Sequence, residues 1–186
     1  MSNKKVECCP EGSEKQLQVD YEPQGKTYNL EDMEVYEIGQ GSKVVIVAYD
    51  IFGVVAGGRV KNYCDSLADK GYHVYLPDFY RKKYCDPFKS SKDELVSFVK
   101  SISLDSVKRD LFELLLPKIE QSEVSSIGIV GFCWGAIPTV VGINESGKFK
   151  CGIAYHPSLA LLKFFDLDWV EYTKKVNVPF MMFPTE

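Results

Sequence analysis

The chain has 186 residues, of which 22 are basic and 26 are acidic, so its formal net charge is −4. This length predicts a single domain over residues 1–186, and a chain of this size buries roughly 70% of the area that its unfolded form exposes. Hydrophobic residues make up 45% of the sequence and aromatic residues 13%, which excludes a disordered chain. The acidic balance gives no electrostatic reason to expect nucleic acid or an anionic membrane as a partner.

The N-terminal residues and the cysteines indicate a cytoplasmic protein. Residues 1–10 lack the apolar segment of a secretory signal, and no stretch reaches the length of a membrane span. The six cysteines contain no Cys-x-x-Cys pair and only two histidines accompany them, so we expect neither a disulfide framework nor a structural metal site. Adjacent cysteines close a strained ring, so we interpret Cys8 and Cys9 as an N-terminal turn, with a redox pair as the alternative.

Apolar runs and helical spacings alternate along the chain after a polar N-terminal lead-in segment (1–33) that holds one short strand. The predicted strands are 35–38, at the sheet edge, then 43–49, 72–76, 126–130, 151–155 and 178–183. The predicted helices are 60–68, 91–102, 105–121, 135–143 and 159–176. Ser91 and Glu94 have the spacing of a capping box, and Pro117 is expected to bend or shorten its helix.

This alternation predicts an α/β fold with a mostly parallel, doubly wound sheet and right-handed crossovers. In such sheets the ligand lies beyond the carboxyl ends of the strands. The turns that follow the strands are therefore the places to look for chemistry.

The turn after the strand over 126–130 reads Gly131-Phe132-Cys133-Trp134-Gly135, which is the G-x-S-x-G pattern with cysteine in place of serine. Glycines permit the sharp strand-to-helix turn that lifts a nucleophile above the sheet. The N-terminus of the following helix favours the thiolate over the thiol. The turn predicts Cys133 as a nucleophile; the alternative is a buried structural cysteine.

Two further turns are expected at the same edge of the sheet, where the parallel strands have their carboxyl ends. The N–H groups of Ile51 and Trp134 are predicted to hold the oxygen of a tetrahedral intermediate. Asp50 is predicted to lie close to Cys133 and to influence its protonation, unless it only caps its turn. Arg81 is predicted to bind a substrate carboxylate through two hydrogen bonds, or else to be a solvated arginine.

These turns together resemble the dienelactone hydrolase family, the cysteine branch of the α/β-hydrolase superfamily. The resemblance is carried by Asp-Ile-Phe-Gly at 50–53, Pro-Asp-Phe-Tyr-Arg at 77–81 and Gly-Phe-Cys-Trp-Gly-Ala at 131–136. Cys-Cys-Pro at 8–10 and His-Pro-Ser at 156–158 resemble its eukaryotic members. The resemblance implies an α/β-hydrolase fold and the hydrolysis of small esters or lactones by a Cys–His–Asp triad without a cofactor.

The resemblance also assigns roles to individual residues. Cys133 matches the nucleophile, Ile51 and Trp134 match the oxyanion-hole amides, and Arg81 matches an arginine that binds the substrate carboxylate. Asp50 stands where bacterial members have a glutamate that contacts the resting thiol.

The triad acid and base of the family are expected beyond residue 186, because the family places both after the strand over 178–183. The resemblance thus implies that the C-terminal part of the fold is missing from this chain. Within the chain, His156 is the alternative base, or a buried and hydrogen-bonded ring in a turn. His73 is expected to be structural.

Two hypotheses about function follow. The first is a cysteine hydrolase that acts on a small-molecule ester or lactone, with no metal and no cofactor. The second is a catalytically silent hydrolase-like module that binds protein partners within a larger assembly.

Overall fold

The computed structural model describes residues 21–54, 59–86 and 89–184. The predicted turn at Cys8 and Cys9 lies outside the described residues. The strands are β1 (Lys26–Leu30), β2 (Met33–Ile38), β3 (Lys43–Ala48), β4 (His73–Pro77), β5 (Ser126–Phe132), β6 (Phe149–Tyr155) and β7 (Phe180–Phe183).

These strands form one sheet in the order β1-β2-β4-β3-β5-β6-β7. The pairs β1–β2 and β2–β4 are antiparallel, and every other pair is parallel. The predicted α/β class and mostly parallel sheet are therefore confirmed. The prediction of an edge strand at 35–38 is wrong, because β1 covers the outer side of β2 and leaves Val35 and Tyr36 buried.

Six α-helices are present in the described residues. They are α1 (Arg59–Ala68), α2 (Lys92–Lys100), α3 (Leu104–Lys108), α4 (Leu116–Ile119), α5 (Ala136–Ser146) and α6 (Trp169–Thr173). The predicted capping box of α2 is confirmed: Ser91 Oγ accepts the Glu94 N–H at 3.3 Å, and Glu94 Oε2 accepts the Ser91 N–H at 2.6 Å. None of the helices described is long and apolar enough to span a bilayer.

The helix predicted over 105–121 is present as one helical stretch over 104–119, but its middle is π-helical, not α-helical. Between α3 and α4 the chain widens into a π-helical segment, Arg109–Leu115. Pro117 has no N–H to donate, and its ring would collide with the carbonyl group four residues earlier in a regular helix. The wider turn, in which the Leu116 N–H bonds to the Leu111 carbonyl, carries the chain past this proline.

The helix predicted over 159–176 is also divided. A 3₁₀ segment, Leu159–Phe165, ends at Asp166, whose φ of 57° is left-handed. Asp168 then starts α6, because its side chain accepts the N–H groups of Val170 and Glu171. The break lets Leu162 of the first segment and Tyr172 of α6 both reach the core.

The central elements position the site. β3 and β5 are neighbours with Ala48 opposite Gly131, so the turns that follow these strands leave the sheet side by side. Helix α5 packs against the sheet with buried residues over 136–143, which fixes the position of its first turn. The carboxyl ends of the parallel strands thus converge on the segment around residue 133.

Candidate active site

Cys133 lies in a tight turn between β5 and α5. Its φ of 53° falls in the left-handed region, which is costly for a residue with a side chain. Two glycines permit the turn: a Cβ atom at Gly131 would lie 2.2 Å from the Gly135 carbonyl oxygen, and one at Gly135 would lie 2.2 Å from the Ala48 carbonyl oxygen. The two glycines of the motif therefore lie where the surrounding backbone leaves no room for a side chain.

The Cys133 side chain is buried, with 6% of the residue exposed, and it contacts a serine. Cys133 Sγ lies 3.2 Å from Ser158 Oγ, and the Ser158 N–H donates to the Cys133 carbonyl oxygen at 3.1 Å. No role at the site was predicted for Ser158. Two signals pointed to it: the His-Pro-Ser segment at 156–158 and its position just after β6, the strand that lies beside β5.

A cavity of about 250 Å³ lies against this cysteine. The structure brings three predicted residues, Cys133, Ile51 and Trp134, together in its lining with Ser158. The rest of the lining is mainly apolar: Lys92, Leu95, Val96, Val99, Leu161 and Phe164. The cavity therefore offers a small apolar space in contact with a thiol.

The Trp134 side chain is an anchor of the turn. It is fully buried, and its ring centroid lies 5.7 Å from that of Phe79 and 4.7 Å from that of Tyr80. Such aromatic contacts hold the backbone of the turn against β4 and the residues that follow it.

Asp50 lies in a second cavity of about 360 Å³, whose lining does not include Cys133. Asp50 Oδ1 accepts the Phe52 N–H at 3.0 Å, so the predicted turn-capping contact is present. Its Oδ2 accepts a hydrogen bond from Arg59 Nη2 at 2.7 Å. Burial raises the pKa of Asp50, and this effect outweighs the lowering by the Arg59 guanidinium and the Phe52 N–H.

His156 lines the same second cavity and not that of Cys133. Its φ is 37°, and its N–H donates to the Phe183 carbonyl oxygen at 2.7 Å. Burial lowers the pKa of the imidazole below its usual 6.5, against the opposing effect of the Asp50 charge. The ring is therefore neutral at neutral pH. The other histidine, His73, lies at the amino end of β4 and contacts Glu37 Oε1 at 2.8 Å.

Arg81 lines neither of these two cavities. Its Nη1 and Nη2 donate to the two carboxylate oxygens of Asp110 at 2.8 and 2.7 Å. Nη1 also donates to the Asp78 carbonyl oxygen, and Nε and Nη2 donate to Asp32. All five N–H donors of the guanidinium are thus used within the protein, so the side chain is not a solvated arginine. The binding of a substrate carboxylate by Arg81 stays a prediction.

Within the described ranges 21–54, 59–86 and 89–184, no group of three or more His, Cys, Asp or Glu side chains is placed to hold a metal ion.

Comparison with known proteins gives the wider context. The chain is 27% identical over 155 residues to the carboxymethylenebutenolidase homolog of Xenopus tropicalis, which covers 81% of this chain and 62% of that protein. It is 30% identical over 143 residues to the homolog of Rattus norvegicus, covering 74% of this chain and 57% of that protein. The chain thus spans less than two thirds of the length of these curated relatives.

Solved structures show the same fold. A cold-adapted esterase from an Arctic intertidal metagenomic library superposes with a TM-score of 0.65 at 11% identity, covering 87% of this chain and 76% of that one. A Pyrococcus furiosus esterase gives a TM-score of 0.52 at 19% identity, covering 90% and 72%. The expected α/β-hydrolase fold is therefore confirmed.

The family model described as the dienelactone hydrolase family matches residues 34–184, which include β3 to β7 and the Cys133 turn. This match covers well over half of the chain. The chain therefore belongs to the dienelactone hydrolase family.

Proposed function

We propose that this chain carries a cysteine hydrolase site for small esters or lactones, with Cys133 as the nucleophile. The observation that carries the proposal is the position of Cys133, at a left-handed turn before α5, in the wall of a cavity that Ile51 and Trp134 also line. Membership of the dienelactone hydrolase family supports it.

In the proposed reaction, the Cys133 thiolate attacks the carbonyl carbon of the substrate. The N–H groups of Ile51 and Trp134 stabilise the oxyanion of the tetrahedral intermediate. The Sγ–C bond forms, the C–O bond of the ester or lactone breaks, and the alkoxide oxygen takes up a proton from solvent, which balances the proton that the Cys133 thiol released to solvent. Water then cleaves the thioester to the carboxylic acid and restores the thiol.

The cavity supports a small substrate with an apolar acyl group. Its volume of about 250 Å³ lies just below the usual range for ligand pockets, and Leu95, Val99 and Leu161 are among its walls. Because two relatives are named carboxymethylenebutenolidase homologs, a dienelactone is the first lactone to test. The proposed reaction is written without Asp50 and His156, which line the neighbouring cavity.

The test is steady-state hydrolysis of p-nitrophenyl acetate and of a dienelactone, together with intact-mass detection of an acyl adduct. The Cys133→Ala variant is expected to lose about a thousandfold or more in kcat and to form no adduct, as removal of a nucleophile does in related chemistry. Cys151→Ala is the matched control, because Cys151 is an exposed cysteine on β6. A Cys133→Ala variant that hydrolyses both substrates at the original rate would refute the proposal.

A further inference from the structure

Ser158 contacts Cys133 at two points. The serine N–H donates to the Cys133 carbonyl oxygen at 3.1 Å, and the serine Oγ lies 3.2 Å from Sγ. Strand register explains the proximity: Phe132 on β5 is opposite Tyr155 on β6, so the residues that follow these two strands leave the sheet together. One contact fixes the backbone of the turn and the other reaches the sulfur.

Ser158 is itself held firmly on both sides. Two residues earlier, the His156 N–H donates to the Phe183 carbonyl oxygen of β7 at 2.7 Å. After it, the Leu161 N–H donates to the Ser158 carbonyl oxygen at 3.1 Å, and Leu162 of the same 3₁₀ segment is fully buried. The serine hydroxyl therefore occupies a fixed place beside the thiol and needs little reorganisation to act on it.

A hydroxyl group at this distance can donate to a thiolate. Hydrogen bonds to the charged form of a group favour that form. The Cys133 thiolate requires such a donor, because Cys133 is buried and a buried anion loses the hydration that it has in water. The serine O–H replaces part of that hydration without bringing a second charge into the cavity.

We propose that Ser158 is a positioning residue that orients Cys133 and stabilises its thiolate. When the thiol releases its proton to solvent, the Ser158 hydroxyl rotates to donate to Sγ, while the serine N–H keeps the turn in place. The inference rests on the proposed function in that it takes Cys133 as the nucleophile. Its test reads the thiol itself and needs no ester hydrolysis.

The experiment measures the rate of Cys133 alkylation by iodoacetamide as a function of pH, with peptide mass mapping to separate it from the other cysteines. Ser158→Ala removes the hydroxyl and keeps the N–H, and Ser158→Thr keeps both. Ser90→Ala is the matched control, because Ser90 Oγ lies 3.3 Å from Cys85 Sγ and forms the same type of contact away from the turn.

In Ser158→Ala the midpoint of the alkylation profile is expected to rise by roughly one pH unit, which slows alkylation about tenfold below the midpoint and leaves the plateau at high pH. Ser158→Thr restores the midpoint, and Ser90→Ala leaves it unchanged. If Cys133 resists alkylation, the ultraviolet absorbance of the thiolate, taken as the difference from Cys133→Ala, gives the same midpoint.

Two results would overturn the inference: an unchanged midpoint in Ser158→Ala, or an equal slowing at every pH together with a lower melting temperature, which would indicate a structural role alone. A shifted midpoint in a protein that hydrolyses no ester would uphold the role of Ser158 and reject the proposed function. The experiment can therefore refute either proposal without refuting the other.

Discussion

Gly135 lies against the backbone of Ala48: a Cβ atom at position 135 would come within 2.2 Å of the Ala48 carbonyl oxygen. The first turn of α5 thus rests directly on the carboxyl end of β3. The Asp50–Ile51 turn begins at that same end of β3. The shared cavity of Cys133 and Ile51 therefore depends on a position that has no side chain.

Gly135→Ala is expected to destabilise the protein by about 3 kcal/mol or more, because the added methyl group meets rigid backbone and either β3 or α5 must shift. Gly147→Ala is the control. Gly147 has a φ of 64° but nothing within 4 Å of an added Cβ, so its cost should be only about 1–2 kcal/mol. Urea unfolding of both variants gives the comparison, and equal losses would contradict this account of Gly135.

Local patterns were enough to predict the elements that form the candidate site. The apolar runs that become β3 and β5, and the glycine spacing around Cys133, are short-range signals. Because sites lie at the carboxyl ends of parallel strands, Ile51, Cys133 and Trp134 were predicted to lie together at that edge of the sheet. The structure places these three residues in the lining of one cavity.

Long-range partners could not be predicted in the same way. Arg81 is 29 residues from Asp110 and 49 residues from Asp32 in sequence, and no local pattern links them. Ser158 is 25 residues from Cys133, and its contact depends on the register of β5 and β6. From local patterns, Arg81 was therefore predicted to bind a substrate, and no role was predicted for Ser158.

Arg81→Ala is expected to destabilise the protein by about 3 kcal/mol, because it leaves the Asp110 carboxylate, whose side chain is 1% exposed, without the two hydrogen bonds that Arg81 donates. Lys82→Ala is the neighbouring control. Lys82 pairs with Glu34 at 2.8 Å with its side chain 66% exposed, so its loss should cost less than about 1 kcal/mol. Chemical unfolding measures both. A fully stable Arg81→Ala variant with a raised KM would instead support the predicted role of Arg81 in substrate binding.

Asp50→Asn is expected to change how stability depends on pH. Burial raises the pKa of Asp50 in the folded protein above 3.8, so the folded state holds this proton more tightly than the unfolded state. The stability contributed by Asp50 is then fully present below about pH 3.8 and is lost as the pH rises through the folded pKa. Unfolding free energies measured across the acidic range should show the original protein losing stability relative to Asp50→Asn as the pH rises. The opposite trend would mean that the Arg59 ion pair outweighs burial.

His156→Gln is expected to show the reverse dependence. Burial lowers the pKa of His156 in the folded protein below 6.5, so the unfolded state binds this proton more readily. The stability contributed by the neutral ring is present above about pH 6.5 and is lost as the pH falls through the folded pKa. Relative to His156→Gln, the original protein should therefore lose stability on acidification, and thermal unfolding across this range measures it. A difference that is independent of pH would mean that the Asp50 charge offsets the burial of the ring.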